Sequence, residues 1–284
     1  MDNDELQYLY KKAQEIRILT IDMIGYLGVG HIGGAMSVIE ILTALYYHIM
    51  ENVDVQDPKN ENRDKFILSK GHAGPALYAV LADKGYFPKE WLHTLNQGGT
   101  RLPSHCDMNL TPGIDFTTGS LGLGFASAMG IACADRIKKN NAHTYIIIGD
   151  GESQEGIIWE AAMFASHYNL SNVIAFLDYN KMQIDGKTTD IMNLESLLAK
   201  WKGFGWHAQE VDGHNIQAIT TAAENAKKVT NAPSIIICNT IKAKGFAPGE
   251  GLVSSHNMEF SYEKAQEAIK TLKTQSPKGV NKYE

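Results

Sequence analysis

Apolar residues recur at every third or fourth position through the first part of the chain, which is the spacing of one helix face. The pattern predicts a long opening helix over residues 6–27 and, after a cluster of glycines, a second apolar helix over 37–50. The same reasoning predicts further helices over 75–84, 123–139, 154–168, 194–202, 215–228 and 262–272.

Short, almost unbroken apolar runs separate these helices. They cover residues 65–69, 144–148, 173–177 and 234–238, with a weaker run over 206–211. Strands that are buried on both faces have this composition, and strands that alternate with helices form parallel sheets with right-handed crossovers. We therefore predict an α/β fold, a doubly wound and mainly parallel sheet with helices on both faces.

The chain has 284 residues, of which 44% are hydrophobic, so it can bury a large core. We find no Ser-, Gly- or Pro-rich linker and no shift in composition within residues 1–260. We expect one domain over residues 1–262, followed by a C-terminal helix and polar tail over 263–284, whose last residues we expect to be mobile.

The charge balance argues against two classes of partner. The chain carries 26 Lys and Arg against 32 Asp and Glu, without a dense basic run, so neither nucleic acid nor an anionic membrane is expected to bind. Only four residues are arginines, so forks that hold a phosphate would have to come from another chain.

The cysteines and the N-terminus bear on location. The three cysteines, Cys106, Cys133 and Cys238, have neither metal-site nor disulfide spacing, which fits reduced thiols in a cytoplasm. The polar, acidic N-terminus and the absence of an 18-residue apolar run predict no targeting or membrane segment.

Polar residues follow two of the predicted strands. Asp150 comes directly after the 144–148 run through Gly149, and Asn180 comes shortly after the 173–177 run. Parallel strands bring such residues to one sheet edge, where open α/β sheets bind ligands. Carboxylate and amide oxygens suit Mg²⁺ or Ca²⁺, and Gly151 would let an anion approach the following helix start. The pair therefore predicts a metal–diphosphate site, although each motif alone could be an ordinary turn.

Gly149-Asp-Gly151, followed after 28 residues by Asn180, resembles the thiamine-diphosphate fingerprint of transketolases. Five segments resemble transketolase segments in the same order: GHIGGAMS (30–37), LSKGHAGPALY (68–78), PSHCD (103–107), TTGSLGLG (117–124) and GDGESQEG (149–156). The resemblance extends from about residue 10 to 260, and it implies the thiamine-diphosphate-binding fold.

The resemblance also implies roles for single residues. Asp150, the Asn180 side chain and the Met182 backbone carbonyl would ligate Mg²⁺ or Ca²⁺. The residues facing the diphosphate would be His72, Gly151 and His256, and those lining the rings of thiamine diphosphate would be Gly119, Ser120 and Leu121. Glu155 resembles a family carboxylate at the subunit interface. Tyr179 replaces an Asn or Phe of many relatives, which should matter little.

Four histidines are expected to be catalytic by the same resemblance: His31, His72, His105 and His256. Imidazole titrates near neutral pH, as proton transfer to sugar hydroxyls requires. His256 lacks the Trp-His-Gly context of many relatives, and Lys242 and Lys244 before it could approach phosphate, although solvated lysines are commoner. The implied reaction moves a two-carbon ketol unit from a ketose to an aldose.

The resemblance stops where the pyrimidine-binding domain of a full-length transketolase would follow. It therefore implies the N-terminal subunit of a split transketolase, which would be inactive without its C-terminal partner and would assemble with it as α₂β₂. The donor would be a ketose phosphate or a specialised ketose, including one with a sulfonate, because the group that binds that end lies on the partner.

Four other interpretations compete with this one. Gly28-Val-Gly30-His-Ile-Gly33 matches GxGxxG, but a helical pattern precedes it where a dinucleotide-binding fold needs a strand. The α chain of a 2-oxo acid dehydrogenase shares the GDG…N pattern but not the histidine loops. A deoxyxylulose-phosphate synthase normally has all its domains on one chain, and a non-catalytic scaffold would not need the intact site residues.

Overall fold

Five parallel strands form the central sheet in the computed structural model, which describes residues 1–275. They are β2 (Lys65–Leu68), β3 (Thr144–Gly149), β4 (Val173–Tyr179), β5 (His207–Asp212) and β6 (Ser234–Asn239), after a two-residue β1 (Val29–Gly30) and before β7 (Met258–Glu259). The order across the sheet is β2-β3-β4-β6-β5, and every neighbouring pair is parallel. The predicted parallel sheet is confirmed.

Helices cover both faces of this sheet. They are α1 (Asn3–Leu27), α2 (Ile32–Met36), α3 (Ile39–Ala44), α4 (Gly74–Lys84), α5 (Leu123–Ile137), α6 (Gly156–His167), α7 (Thr188–Ile191), α8 (Leu197–Gly203), α9 (Ile216–Lys227) and α10 (Tyr262–Thr274). Side chains alternate along each strand, so Tyr145 and Ile147 join the core under α1, α4 and α9, whereas Ile146 and Ile148 join the core under α5, α6 and α8. The doubly wound α/β prediction is confirmed.

The opening helix has clear start and stop signals. The Asp2 side chain accepts a hydrogen bond from the Glu5 amide at 2.8 Å, and Gly28 ends the helix in the left-handed region at a φ of 89°. The helix therefore runs from Asn3 to Leu27, close to the predicted 6–27.

The predicted helix over 37–50 is confirmed over most of its length. The segment is helical from Ile39 to Ile49, as α3 followed by a π-helical turn over Leu45–Ile49. It begins two residues later than predicted, after a turn at Ser37, whose hydroxyl donates to Asp178 at 2.6 Å. Apolar periodicity shows which face is buried and does not distinguish a π-helical turn from an α-helical one.

Two long-range contacts close the fold. β1 and β7 pair antiparallel, Val29 with Glu259 and Gly30 with Met258, which brings the late His256 turn beside the start of α2. α10 packs on α1. It ends at Thr274, whereas the sequence predicted an end at residue 272. The predicted mobile residues after 275 lie outside the described part of the chain. None of the helices within residues 1–275 is long and apolar enough to cross a membrane.

Candidate functional site

Asp150 and Asn180 lie at the carboxyl edge of the sheet, where β3 and β4 end side by side with Gly149 opposite Asp178. The Asp150 carboxylate accepts hydrogen bonds from the Gly151 amide at 2.8 Å and from the Lys181 amide at 2.5 Å. Its second contact is therefore with the residue that directly follows Asn180.

The turn after β4 is arranged by Asn180 itself. The Asn180 Oδ1 atom accepts from the Met182 amide at 3.0 Å, and its Nδ2 atom donates to Asp178 at 3.0 Å. Lys181, between them, adopts a positive φ of 65°. This turn brings the backbone of Met182 to the same edge of the sheet as Asp150.

The Asp150 carboxylate is buried near a second carboxylate, that of Asp178. Burial and, after it, the nearby Asp178 carboxylate raise the pKa of Asp150 to about 7. Within residues 1–275, no three His, Cys, Asp or Glu side chains are grouped to hold a metal ion. A cation here would therefore depend on the mixed oxygen set of one carboxylate, one amide and one carbonyl, which suits Mg²⁺ or Ca²⁺.

The four predicted histidines form a cluster around His31, at the start of α2. The ring centre of His31 lies 5.4 Å from that of His72, 5.7 Å from that of His105 and 5.5 Å from that of His256. His72 belongs to the turn after β2, and its ring lies 5.2 Å from that of His256. Four distant segments thus meet at one place.

The histidine cluster is neutral in character. Burial lowers the pKa of each of the four rings, and for His256 burial followed by the Lys242 charge lowers the pKa to about 4. The positive charge of Lys70 adds to the effect on His72, whose pKa lies well below its ordinary value. Uncharged imidazoles can accept or donate protons near neutral pH.

One of the two lysines that precede His256 extends the histidine cluster toward the sheet. Lys242 is buried, and its Nζ atom lies 3.3 Å from His256 Nδ1; burial and then Lys70 lower the pKa of Lys242 to about 8. Lys244 instead pairs with Glu250 at 3.0 Å on the outer side of the same turn. Only Lys242 of these two lies with the histidines.

Sequence reasoning missed the buried ion pair beneath the site. Lys70 donates to Asp178 at 2.5 Å and to the Gly34 carbonyl at 3.1 Å, and both charged side chains are almost fully buried. Asp178 also accepts from Ser37 and Thr240. Lys70 lies in the 68–78 segment and Asp178 lies near the end of β4, but no local pattern in the sequence connects the two residues.

Glycines in α2 permit these close contacts. A Cβ atom on Gly34 would lie 3.0 Å from His72 Nε2 and 3.2 Å from Lys70 Nζ, and one on Gly33 would lie 2.6 Å from the Ser255 carbonyl oxygen. Side chains at these positions would push the polar groups apart, so the helix must present bare backbone to the cluster.

The predicted ring-binding loop lies beside His105. A Cβ atom on Gly119 would be 3.9 Å from His105 Cδ2, whereas Ser120 is exposed and Leu121 half-buried. The neighbouring Thr118 hydroxyl is buried and has no hydrogen-bond partner within residues 1–275. An orphaned hydroxyl next to exposed loop residues suits a polar group of a bound ligand.

Gly151 and Glu155 occupy the loop that leads from β3 to α6. A Cβ atom on Gly151 would lie 3.2 Å from Gln183 Cβ, so the glycine allows the two loops to approach. The Gly151 amide donates to Asp150, so in this arrangement it is not aimed at an anion as the motif suggested. Glu155 is exposed at the first turn of α6, and Glu152, which sequence reasoning missed, is buried and accepts from the Gly122 and Gly149 amides.

Residues 10–278 match the family model described as "Transketolase, thiamine diphosphate binding domain". The chain belongs to the transketolase family. The transketolase subunit SqwG of Clostridium sp. (strain MSTE9), named for 6-deoxy-6-sulfo-D-fructose, is 54% identical over 264 residues, which are 93% of this chain and 96% of that subunit. A subunit of the apulose-4-phosphate transketolase of Phocaeicola vulgatus is 36% identical, over 94% of each chain.

A solved full-length transketolase gives the matching fold. The crystal structure of the Campylobacter jejuni enzyme superposes with a TM-score of 0.88 at 31% identity, over 99% of this transketolase-family chain but only 44% of that one. The chain thus spans less than half of that enzyme and nearly all of the two subunits. These findings confirm the predicted resemblance to the N-terminal subunit of a split transketolase.

The same results argue against two of the four other interpretations. Helix α1 ends at Leu27, directly before the GxGxxG segment, so the strand required by a dinucleotide fingerprint is replaced by a helix. The subunits that the chain matches over nearly their whole length are transketolase subunits, which does not favour the 2-oxo acid dehydrogenase alternative.

Proposed function

We propose that this chain is the diphosphate-binding subunit of a split transketolase that transfers a two-carbon ketol unit from a sulfonated ketose to an aldose. The observation that carries the proposal is the meeting of the four histidines with Lys70, Lys242 and Asp150 at one sheet edge. The partner would supply the pyrimidine-binding half.

The side chains present suit thiamine diphosphate with a divalent cation. The buried ammonium groups of Lys70 and Lys242 favour an anionic group beside His72 and His256. The orphaned Thr118 hydroxyl beside the Gly119 loop offers a partner to a ring substituent. When bound, the cofactor supplies the electron sink that cleavage of a bond next to a carbonyl requires.

The residues that would hold each group are those implied by the motifs. Asp150, Asn180 and the Met182 carbonyl would bind Mg²⁺, or Ca²⁺ in its place. His72, Gly151 and His256 would face the diphosphate, and Gly119, Ser120 and Leu121 would line the rings. For Gly151 this requires its amide to be shared with, or released from, the Asp150 carboxylate.

The histidines would handle sugar protons. Their lowered pKa values keep them uncharged at neutral pH, so His31, His72, His105 and His256 can each hydrogen-bond a hydroxyl or move a proton at an imidazole nitrogen.

Recognition of the far end of the sugar falls to the partner, because all four arginines have other contacts. These are Arg17 with Glu40, Arg63 with Asp115, Arg101 over the Trp91 ring, and Arg136 with the Tyr168 and Asn169 carbonyls. A partner that binds the end group of the ketose can select a sulfonate over a phosphate. The 54% identity to a subunit named for sulfofructose favours the sulfonated donor.

Assembly and location follow from the same proposal. Two subunits of each kind would form an α₂β₂ enzyme, with the exposed Glu155 at the interface. The free thiols of Cys106, Cys133 and Cys238 fit a reducing cytoplasm. The domain is proposed to extend to residue 262, with the C-terminal helix and tail after it.

Reconstitution tests the proposal. The chain, a candidate partner and their mixture would be assayed with thiamine diphosphate, Mg²⁺ and an aldose phosphate acceptor, with 6-deoxy-6-sulfofructose or fructose 6-phosphate as donor. We expect turnover only in the mixture, with kcat/KM at least about tenfold higher for the sulfonate. Turnover by the chain alone would contradict the split enzyme, and preference for the phosphate would contradict the substrate assignment.

A further inference from the structure

The turn that carries Lys242 is held from behind by a buried charged cluster that no motif pointed to. This outer cluster consists of Arg17 on α1, Glu40 on α3 and His214 after β5. Arg17 and Glu40 form an ion pair in which both side chains are at most 10% exposed. Burying two charges costs free energy, so such a pair need not stabilise the fold. The hydrogen bonds that it makes to the turn, described next, point to a role in positioning.

His214 links the ion pair to the backbone of the turn. Its Nδ1 atom lies 3.0 Å from Glu40 Oε2, and its Nε2 atom accepts from the Ile241 amide at 2.8 Å. An acceptor at Nε2 places the ring proton on Nδ1, where it donates to Glu40. Burial by itself would raise the pKa of Glu40, but Arg17 and His214 hold it at about 2, so the carboxylate is charged.

Arg17 holds the other side of the same turn. Its guanidinium donates to the Lys244 carbonyl and, at 3.1 Å, to the Met36 carbonyl. Between the two anchors, the Ala243 amide donates to the Gly33 carbonyl at 2.9 Å. The turn is thus attached at three successive points, at Ile241, Ala243 and Lys244.

The backbone of the turn needs this support. Ala243 adopts a positive φ of 56°, which a residue with a Cβ atom rarely occupies, and Gly245 follows at 82°. A Cβ atom on Gly245 would lie 2.6 Å from Arg17 Cδ, so the arginine packs directly on the turn. The conformation that turns Lys242 inward toward His256 is therefore imposed by its surroundings.

We propose that Arg17, Glu40 and His214 are positioning residues that fix the 240–245 turn and thereby hold the Lys242 ammonium beside His256 for an anionic ligand. This rests on the proposed function, because it assigns Lys242 to the binding of the diphosphate. The outer cluster does not touch the ligand and acts only through the turn.

Two substitutions at His214 separate its two hydrogen bonds. His214→Asn keeps a donor near the Nδ1 position but loses the acceptor for the Ile241 amide, whereas His214→Gln keeps an acceptor near the Nε2 position. His207→Asn, at the far end of β5, is the matched control, since its ring lies near Ser234 and away from the site.

The first measurement is hydrogen exchange of the chain alone, without cofactor. We expect His214→Asn to speed exchange of the amides of residues 241–245, His214→Gln to do so less, and His207→Asn to leave them unchanged. The second is calorimetric binding of thiamine diphosphate with Mg²⁺ to the chain paired with its partner. We expect about five- to tenfold weaker binding for His214→Asn.

A double substitution decides whether the effect passes through Lys242. In a Lys242→Met background, His214→Asn should weaken binding by less than about twofold further. If His214→Asn weakens binding as much in the Lys242→Met background as in the wild type, the inference is wrong. It is also wrong if His214→Asn changes neither the exchange nor the affinity. In both cases a wild-type pair that binds the cofactor leaves the proposed function intact. A wild-type pair that does not bind would overturn both.

Discussion

At the scale of single residues, the charge state of the site is decided by what surrounds each side chain. His256 lies beside the buried Lys242, and His72 lies beside Lys70, so a proton on either ring would add a positive charge to a group that is already cationic. Burial works in the same direction. The protein therefore holds imidazoles that remain neutral well below the pH at which a free histidine becomes charged.

This arrangement makes the cofactor-free chain sensitive to acid. Because the pKa of His256 is about 4 in the folded chain and about 6.5 in an unfolded one, the unfolded chain binds a proton between these values and the folded chain does not. The free energy of unfolding must then fall as the pH falls through that window. In urea unfolding, the difference in the free energy of unfolding between pH 7 and pH 5 should be smaller for His256→Gln than for the wild type.

The exposed His167 supplies the control for that experiment. His167→Gln should leave the pH dependence as steep as in the wild type. A His256→Gln chain that loses stability as steeply as the wild type between pH 7 and pH 5 would show that His256 is not held neutral.

How far the sequence predicts the site depends on the kind of residue. His31, His72 and His105 lie in glycine- or proline-flanked motifs, and their order along the chain was enough to place them in one site. The Lys70–Asp178 pair and the His214–Glu40 contact join residues more than 100 positions apart. Such pairs leave no local pattern, because each partner alone reads as a surface charge.

At the scale of elements, the fold depends on a close helix crossing at which α10 covers α1. A Cβ atom on Gly25 would lie 2.3 Å from Ala265 Cβ, closer than two carbon atoms approach without a shift of one helix. Ile269 and Leu272 of α10 are buried in the core that contains α1. The glycine therefore sets the distance between the two helices.

Replacing that glycine should destabilise the chain. Gly25→Ala would force α10 outward, with an expected loss of about 1–3 kcal/mol in the free energy of unfolding. Gly130→Ala is the matched control, because Gly130 lies on the exposed face of α5 with nothing within 4 Å of its missing Cβ. There we expect a gain of about 0.5–1 kcal/mol from helix propensity, measured on the chain alone.

A stabilising Gly25→Ala would contradict the close crossing. The sequence predicted α1 and α10 themselves, because their apolar periodicity is long and regular. It did not predict the β1–β7 pairing, since two-residue strands are too short to show alternation. It also did not predict the short helix α2, whose glycines are typical of a loop, or the π-helical turn over Leu45–Ile49.

At the scale of the whole molecule, the site residues of this chain belong to one half of a full-length transketolase. The sheet edge, the histidine cluster and the Gly119 loop all belong to a fold that spans 44% of a full-length transketolase. Exposed apolar side chains on α5 and α6, Leu123, Ile137, Met163 and Phe164, add surface of the kind that a partner covers. The interface role of Glu155 stays a prediction.

The most direct test is calorimetric titration of thiamine diphosphate with Mg²⁺ into the chain paired with its partner. We expect saturable binding that requires Mg²⁺ and becomes about a hundredfold weaker or more when Asp150→Asn removes the carboxylate ligand. A control pair with Asp185→Asn, at an exposed aspartate in the following loop, should bind like the wild type. An Asp150→Asn pair that binds the cofactor as tightly as the wild type would show that Asp150 does not hold the metal ion.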